Sequence, residues 1–376
     1  MTDRVAVIDH SALVELVGLL HAEGYVVVGP TLRENAIVLA ELDDGDDLVS
    51  GWGVDTEAGR YRVVRRADDA VFAHSAGPQS WKSFLHPARR RLLSTDTSDG
   101  DLTVEPEPEP SRRMAFLGVR PCDLVAIGVL DRVLAGGRYP DPGYTARRDG
   151  VLVIVANCTE PGATCFCVSM GGGPRAPAGF DLALTERVDD AGHRFLVEVG
   201  SAAGEELLAA LPHRAATDAD LRVADDDLAD AAEHMGRAMP EVDLRALLVD
   251  SRESPHWAEV ASRCLACGNC TMVCPTCFCT TTEEVTDLTG EHGERWQRWS
   301  SCFDLDFSYL HGGEVRTSRQ SRYRQWMTHK LSTWYDQFGS SGCVGCGRCI
   351  VWCPVGIDIT EEAASLTALA SREVGT

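Results

Sequence analysis

The sequence predicts an α+β protein: an N-terminal α/β domain with a partly parallel sheet, then a mostly helical domain organised around cysteine. Three observations predict it. Short apolar runs alternate with amphipathic helical patterns through the first half of the chain. One strand–helix–strand succession falls at 114–155, which requires parallel strands joined by a right-handed crossover. Near the C-terminus, the run Cys264-x2-Cys267-x2-Cys270-x3-Cys274-Pro275 recurs as Cys343-x2-Cys346-x2-Cys349-x3-Cys353-Pro354.

Taken in order, residues 10–22 place Leu13, Leu16, Val17 and Leu20 at helical spacing. Strands follow at 25–28 and 36–40, divided by Gly29-Pro30, with shorter ones at 61–64 and 70–73. The stretch 95–110 ends in alternating Glu and Pro and reads as an acidic, extended surface loop. A buried strand at 114–119, a helix at 123–134 and a strand at 151–155 make the parallel unit. Segments 180–184 and 195–199 read as a hairpin. Helical patterns then occupy 201–211, 227–239, 241–249 and 255–263, with an acidic stretch at 218–230 as a solvated face. A basic segment at 316–330 either neutralises charge beside the cysteine runs or forms one solvated face.

Of the 376 residues, 44% are hydrophobic and 24% charged, as expected of a soluble chain with more than one core. The net charge of −22, from 35 basic and 57 acidic residues, argues against nucleic acid as a partner. No run has membrane-spanning length and the opening residues show no charged-then-apolar leader, so a cytoplasmic location is expected. Fifteen cysteines then point to a reducing compartment and metal ligation rather than disulfides.

The doubled run has the spacing that holds two [4Fe–4S] clusters, the fourth thiolate of each run crossing to the other cluster. One cluster takes Cys264, Cys267, Cys270 and Cys353. The other takes Cys343, Cys346, Cys349 and Cys274. Structural zinc also uses C-x2-C pairs, but two pairs suffice for it and a repeated four-cysteine run ending in Cys-Pro is not needed. The chain accordingly divides into an α/β domain at 1–215, a helical connector at 216–255, and a ferredoxin-like two-cluster domain at 256–376 with a long insert at 280–340.

A third site is expected in the first domain. Cys122 follows one parallel strand and Cys158 the next, so both emerge at the carboxyl edge of the sheet, where open α/β sheets place ligands. Cys165 and Cys167 come shortly after, ahead of Gly171-Gly172-Gly173. Four thiols on one rim suit zinc or a cluster, and the redox context favours a cluster. Cys277, Cys279 and Cys302 remain, as sulfur neighbours, alternative ligands or inert core. No G-x-G-x-x-G follows a strand, no phosphate loop occurs and no Ser/His/Asp signature is visible. A non-catalytic electron relay fits best. A non-redox scaffold on structural zinc is the competing class.

Taken together, Arg120-Pro121-Cys122-Asp123, Cys158 with Cys165-Phe166-Cys167, the first run continued by Cys277-Phe278-Cys279, Trp299-Ser300-Ser301-Cys302 and the second run resemble one family. It contains the beta (iron–sulfur) subunit of cytoplasmic bidirectional [NiFe] hydrogenases of the sulfhydrogenase type, and the iron–sulfur subunit of anaerobic sulfite reductase that feeds its siroheme partner. The likeness runs over residues 110–360. It implies three [4Fe–4S] clusters relaying electrons from a flavin- and NAD(P)H-binding subunit to a catalytic partner. That partner is the small subunit of a [NiFe] hydrogenase with its large subunit behind it, or alternatively a siroheme sulfite reductase subunit. The hydrogenase branch is favoured.

Overall fold

A computed structural model describes residues 5–75, 77–98, 100–108 and 112–374. Strands in the first half are β1 (Val5–Asp9), β2 (Val26–Arg33), β3 (Ala36–Glu41), β4 (Trp52–Glu57), β5 (Arg60–Arg65), β6 (Arg89–Asp96) and β7 (Thr103–Pro106). They continue as β8 (Met114–Val119), β9 (Leu152–Ala156), β10 (Leu182–Asp189), β11 (Gly192–Val199), β12 (Arg214–Ala215), β13 (Thr280–Thr286) and β14 (His292–Trp299). An eight-stranded sheet runs in the order β12-β1-β11-β10-β9-β8-β2-β3. Its centre is parallel, β2 with β8, β8 with β9 and β9 with β10, and its flanks are antiparallel.

Alternation along the central strands fixes the two faces. Ala115, Leu117, Leu152 and Ile154 pack with Leu13, Leu16, Val17 and Leu20 of the helix His10–Ala22. Phe116, Val119, Val153 and Val155 point the other way, into Trp81, Tyr144 and the helix Pro121–Leu130. The sheet is therefore covered on both sides, as a parallel centre requires.

Residues 70–73 are buried but form no strand. The backbone N–H groups of Val71 and Phe72 donate to the Glu186 carboxylate, both at 2.7 Å, which takes the donors a neighbouring strand would have used. The stretch 95–110 is also more ordered than expected. Asp96 ends β6, and β7 pairs with β6 at the edge of a second, four-stranded sheet ordered β13-β14-β6-β7. Pro106 is tolerated because the strand is an edge; positions 109–111 lie outside the described residues, as do 1–4 at the opening. The acidic stretch is itself a helix, Asp218–Glu233, capped by a Thr217–Asp220 capping box, so the helix predicted for 227–239 begins and ends earlier.

The second sheet ties the insert to the N-terminal half, since β14 pairs along most of β6. Outside that hairpin and a short antiparallel pair, Tyr309–Leu310 with Gly313–Glu314, the regular structure of the C-terminal part is helical, with Trp257, Tyr323, Trp326, Met327, Ile350 and Leu366 in one core. A buried bidentate ion pair crosses the junction: Arg348 donates to both Asp123 oxygens at 2.7 and 2.8 Å, with each side chain only 3% exposed. Removing one partner strands the other as a buried charge, which costs about 3–5 kcal/mol. Asp123→Ala is expected to lower the urea midpoint accordingly, with little change in the steepness of the transition.

Candidate metal centres

The two cysteine runs fold alike because their small residues sit at matching places. The helix His256–Arg263 stops at Cys264, whose backbone is extended, and Gly268 at φ 77° opens the short helix Asn269–Met272. Gly347 at φ 72° opens Arg348–Val351 in the second run. Ala266 (φ 54°) and Gly345 (φ 68°) hold the equivalent left-handed position. That turn aims backbone N–H groups at sulfur: Ala266 donates to Cys264 Sγ at 3.3 Å and Gly345 to Cys343 Sγ at 3.5 Å. A non-glycine residue at positive φ is strained, and here it lies in a cysteine loop.

Cys264, Cys267 and Cys270 line one cavity together with Cys349 and Cys353 from the other run. The cavity is walled by Phe303, Tyr323 and Trp326. Ile357 N–H donates to Cys353 Sγ at 3.3 Å. Burial pushes the Cys270 thiol well above its ordinary value, and Cys302, Cys264, Cys353 and Cys267 raise it further.

Cys274 in turn leaves its own run for the second one. Burial raises Cys349 strongly, with Cys343, Cys346 and Cys274 adding to it. Burial pushes Cys343 up to about 12 against the opposing Lys330 ammonium. A hydrogen bond with Cys277 holds the Cys274 thiol well below its ordinary value, and Lys330 Nζ, donating to its Sγ at 3.2 Å, lowers it further.

Of the four N-terminal thiols, Cys165 and Cys167 interact with each other and with Cys158, and Cys122 interacts with Cys167. Cys122 opens the helix after β8 and Cys158 follows β9. The loop of Cys165 and Cys167 is held by Phe166 N–H donating to Gly345 O at 2.8 Å. Burial pushes Cys165 far up, with Cys158, Cys167 and Cys346 adding, and brings Cys167 to about 11. Cys122 is raised by burial and then by Asp123 and Cys346. Its Sγ neighbours thus include the second run, and Cys165 Sγ lies 4.0 Å from Cys346 O.

These sets suit an electropositive metal group. Thiols crowded together cannot all ionise without a cation among them, and metal binding supplies it while releasing their protons. Amide N–H groups directed at the sulfurs are what a thiolate cluster uses to delocalise charge.

The basic segment is turned inward at Arg322 and Lys330, while Arg319 is exposed. Arg319 donates to Cys264 O at 2.9 Å, Arg322 to Phe303 O at 2.9 Å, and Lys330 is buried. Sequence reasoning leaves this segment between two accounts, because a run of arginines looks the same on a solvated face. Lys82, 3% exposed and donating to Cys277 O at 3.1 Å, carries no signal in the sequence at all.

Among the described residues no helix is long and apolar enough to cross a membrane. Residues 263–357, which include both cysteine runs, match the family model of the 4Fe-4S dicluster domain. The chain is similar to Sulfhydrogenase 2 subunit beta of Pyrococcus furiosus, with 33% identity over 257 residues, 67% of this chain and 73% of the relative. No solved structure gives a significant match. A likeness of that extent, with the doubled run inside the matched domain, means that the chain belongs to the sulfhydrogenase beta-subunit family of iron–sulfur electron-transfer proteins.

Proposed function

We propose that this chain relays electrons between the small subunit of a [NiFe] hydrogenase, with the large subunit behind it, and a flavin-containing, NAD(P)H-reacting subunit. Three [4Fe–4S] clusters carry the electrons, and the chain itself is not catalytic. The ligand sets are Cys264, Cys267, Cys270 and Cys353; Cys343, Cys346, Cys349 and Cys274; and Cys122, Cys158, Cys165 and Cys167. When bound, each cluster supplies a one-electron carrier. The protein supplies burial, amide donors to sulfur and fixed spacing. A soluble cytoplasmic complex is the expected setting.

The observation that carries this reading is that the three thiol groups adjoin one another in a row. Cys122, Cys165 and Cys167 interact electrostatically with Cys346, Cys349 interacts with Cys270, and Cys270 with Cys264 and Cys353. A row of buried redox sites from one sheet edge to the far core is the arrangement a conductor needs. A protein using zinc as a staple has no use for it. The sulfhydrogenase relative favours the hydrogenase branch over sulfite reductase.

Metal analysis tests the class directly: about four irons for each of these three sites, with matching acid-labile sulfide and almost no zinc. Stoichiometric zinc without sulfide overturns the relay. Cys353→Ala tests the crossing. The electron paramagnetic resonance signal of the first-run cluster is expected to change while that of the second-run cluster persists; the opposite selectivity rejects the crossed ligand sets.

A further inference from the structure

Two hydrogen-bond donors in the wall of the first-run cavity are left unused. Tyr323 and Trp326 are 3% and 4% exposed, and both line the cavity of Cys264, Cys267 and Cys270. The Tyr323 hydroxyl and the Trp326 indole nitrogen are buried and have no hydrogen-bond partner among the described residues. Buried polar groups are paired as a rule, because an unmade hydrogen bond leaves the desolvation of the group uncompensated. Each exception calls for an acceptor.

The two side chains are held in place. They lie three residues apart on the helix Arg319–Thr328, which puts them on one face. The Phe303 ring packs against both, at 6.3 Å from Tyr323 and 6.1 Å from Trp326, and those two rings are 5.4 Å apart. Trp257 adds a ring contact to Tyr323 at 6.4 Å. The helix is tied to the same site, since Arg319 donates to Cys264 O and Arg322 to Phe303 O. Turning either ring toward water would open this aromatic core. Trp257 shows a satisfied donor in the same core, its indole N–H donating to Ser251 O at 2.7 Å.

The surroundings name the acceptor. Burial raises the Tyr323 hydroxyl well above its ordinary value, with Glu362, Cys270, Cys349 and Cys264 adding to it. The phenol therefore has one carboxylate and three of the assigned sulfurs among its electrostatic neighbours. The carboxylate is already engaged, with Glu362 bonded to His256 Nε2 at 2.7 Å and to Arg263 Nη2 at 2.8 Å. The sulfurs remain. A phenol at neutral pH and an indole each offer a proton without a charge. A [4Fe–4S] group on four thiolates is anionic and presents sulfur acceptors, and hydrogen bonds to those sulfurs help to set its potential. Its reduced form carries one more negative charge, so a fixed donor bonds that form more strongly.

We propose that Tyr323 O–H and Trp326 Nε1–H donate to sulfur of the cluster held by Cys264, Cys267, Cys270 and Cys353, and so raise its reduction potential. Both are positioning residues that act on the carrier without ligating it. The inference rests on the relay reading and deepens it, because that reading assigns ligands and no side chain that sets a potential.

The test is a redox titration of the full chain, reconstituted without oxygen and followed by low-temperature electron paramagnetic resonance, beside Y323F, W326F and W257F. Tyr323→Phe removes the hydroxyl and keeps the ring. The first-run signal, identified by its response to Cys353→Ala, is expected to titrate lower, by up to about 59 mV, a tenfold change in a one-electron equilibrium. Trp326→Phe is expected to move it in the same direction, with the other cluster signals unmoved in both. Trp257→Phe takes a tryptophan from the same core whose donor already has its acceptor, and is expected to leave the midpoint in place. An unmoved first-run potential in both Y323F and W326F overturns the proposal. An equal fall in W257F overturns it as well, since packing would then be the cause. Missing iron and sulfide in the unaltered chain rejects the relay reading itself, whereas full iron with unmoved potentials rejects the two donors alone.

Discussion

In the intact complex, Cys165→Ala is expected to reduce hydrogen-driven reduction of NADP to near background while both half-reactions survive. Hydrogen still reduces a dye at the catalytic partner, and NAD(P)H still reduces a dye at the flavin. The reason is position. The N-terminal thiol set borders only one of the other sets, through Cys346, so it forms an end of the row rather than its middle. Losing an end carrier disconnects one partner and leaves the rest of the row in place. Because Cys165 Sγ also lies near Cys346 O, Cys158→Ala serves as the companion variant. Arg120 and Glu160 are the charged groups that act on that thiol, and its Sγ lies 3.5 Å from Glu160 O. If both variants lack the cluster and retain full end-to-end turnover, the N-terminal site is a staple or a side branch. Loss of the hydrogen half-reaction would instead report damaged assembly.

Gly347→Ala is expected to remove iron from two sites at once, the second-run set and the N-terminal set. A Cβ at Gly347 would stand 2.4 Å from Thr164 O and 2.5 Å from Thr164 Oγ1, and one at Gly345 would stand 2.5 Å from Cys167 Cα. The obstruction is backbone against backbone, so the two loops must part. Overpacking costs about 1–3 kcal/mol, and the left-handed backbone (φ 72°) adds about 1–2 kcal/mol for alanine. Gly171 provides the control. It has φ 76° but nothing within 4 Å of the place its methyl group would take, so Gly171→Ala meets only the backbone cost. Full iron in Gly171→Ala with a loss of about two thirds in Gly347→Ala, two of the three proposed clusters, is the expected contrast. Equal behaviour of the two would mean that the loop contact does not matter.

Much of this arrangement is legible in the sequence, for specific reasons. The doubled run is a spacing signal, and spacing survives without any knowledge of the fold. The placing of Cys122 and Cys158 after adjacent parallel strands is legible because such strands present their carboxyl ends to the same edge. Partners supplied by tertiary packing are not legible. Glu186 takes the N–H groups of Val71 and Phe72 from a distant strand, so 70–73 looks like a strand and is not one. Lys82 looks like an ordinary surface lysine until Cys277 O and the Trp299 ring close over it. β7 is hidden by its proline, since the sequence alone does not reveal that its strand lies at an edge.

The contact between Phe166 and Gly345 also has a consequence for biosynthesis. The wall of the N-terminal thiol set lies 181 residues downstream, measured from Cys165 to Cys346. At a synthesis rate of about 5–20 residues per second, Cys165 leaves the ribosome roughly 10–40 s before its neighbour exists. During that interval the thiols of the first half are open to oxidation, with no second run to cover them. Loading of the proposed N-terminal site is thus expected to be a late event, completed after release of the chain. The order of maturation runs against the order of translation, and a truncated or stalled chain leaves those four thiols exposed.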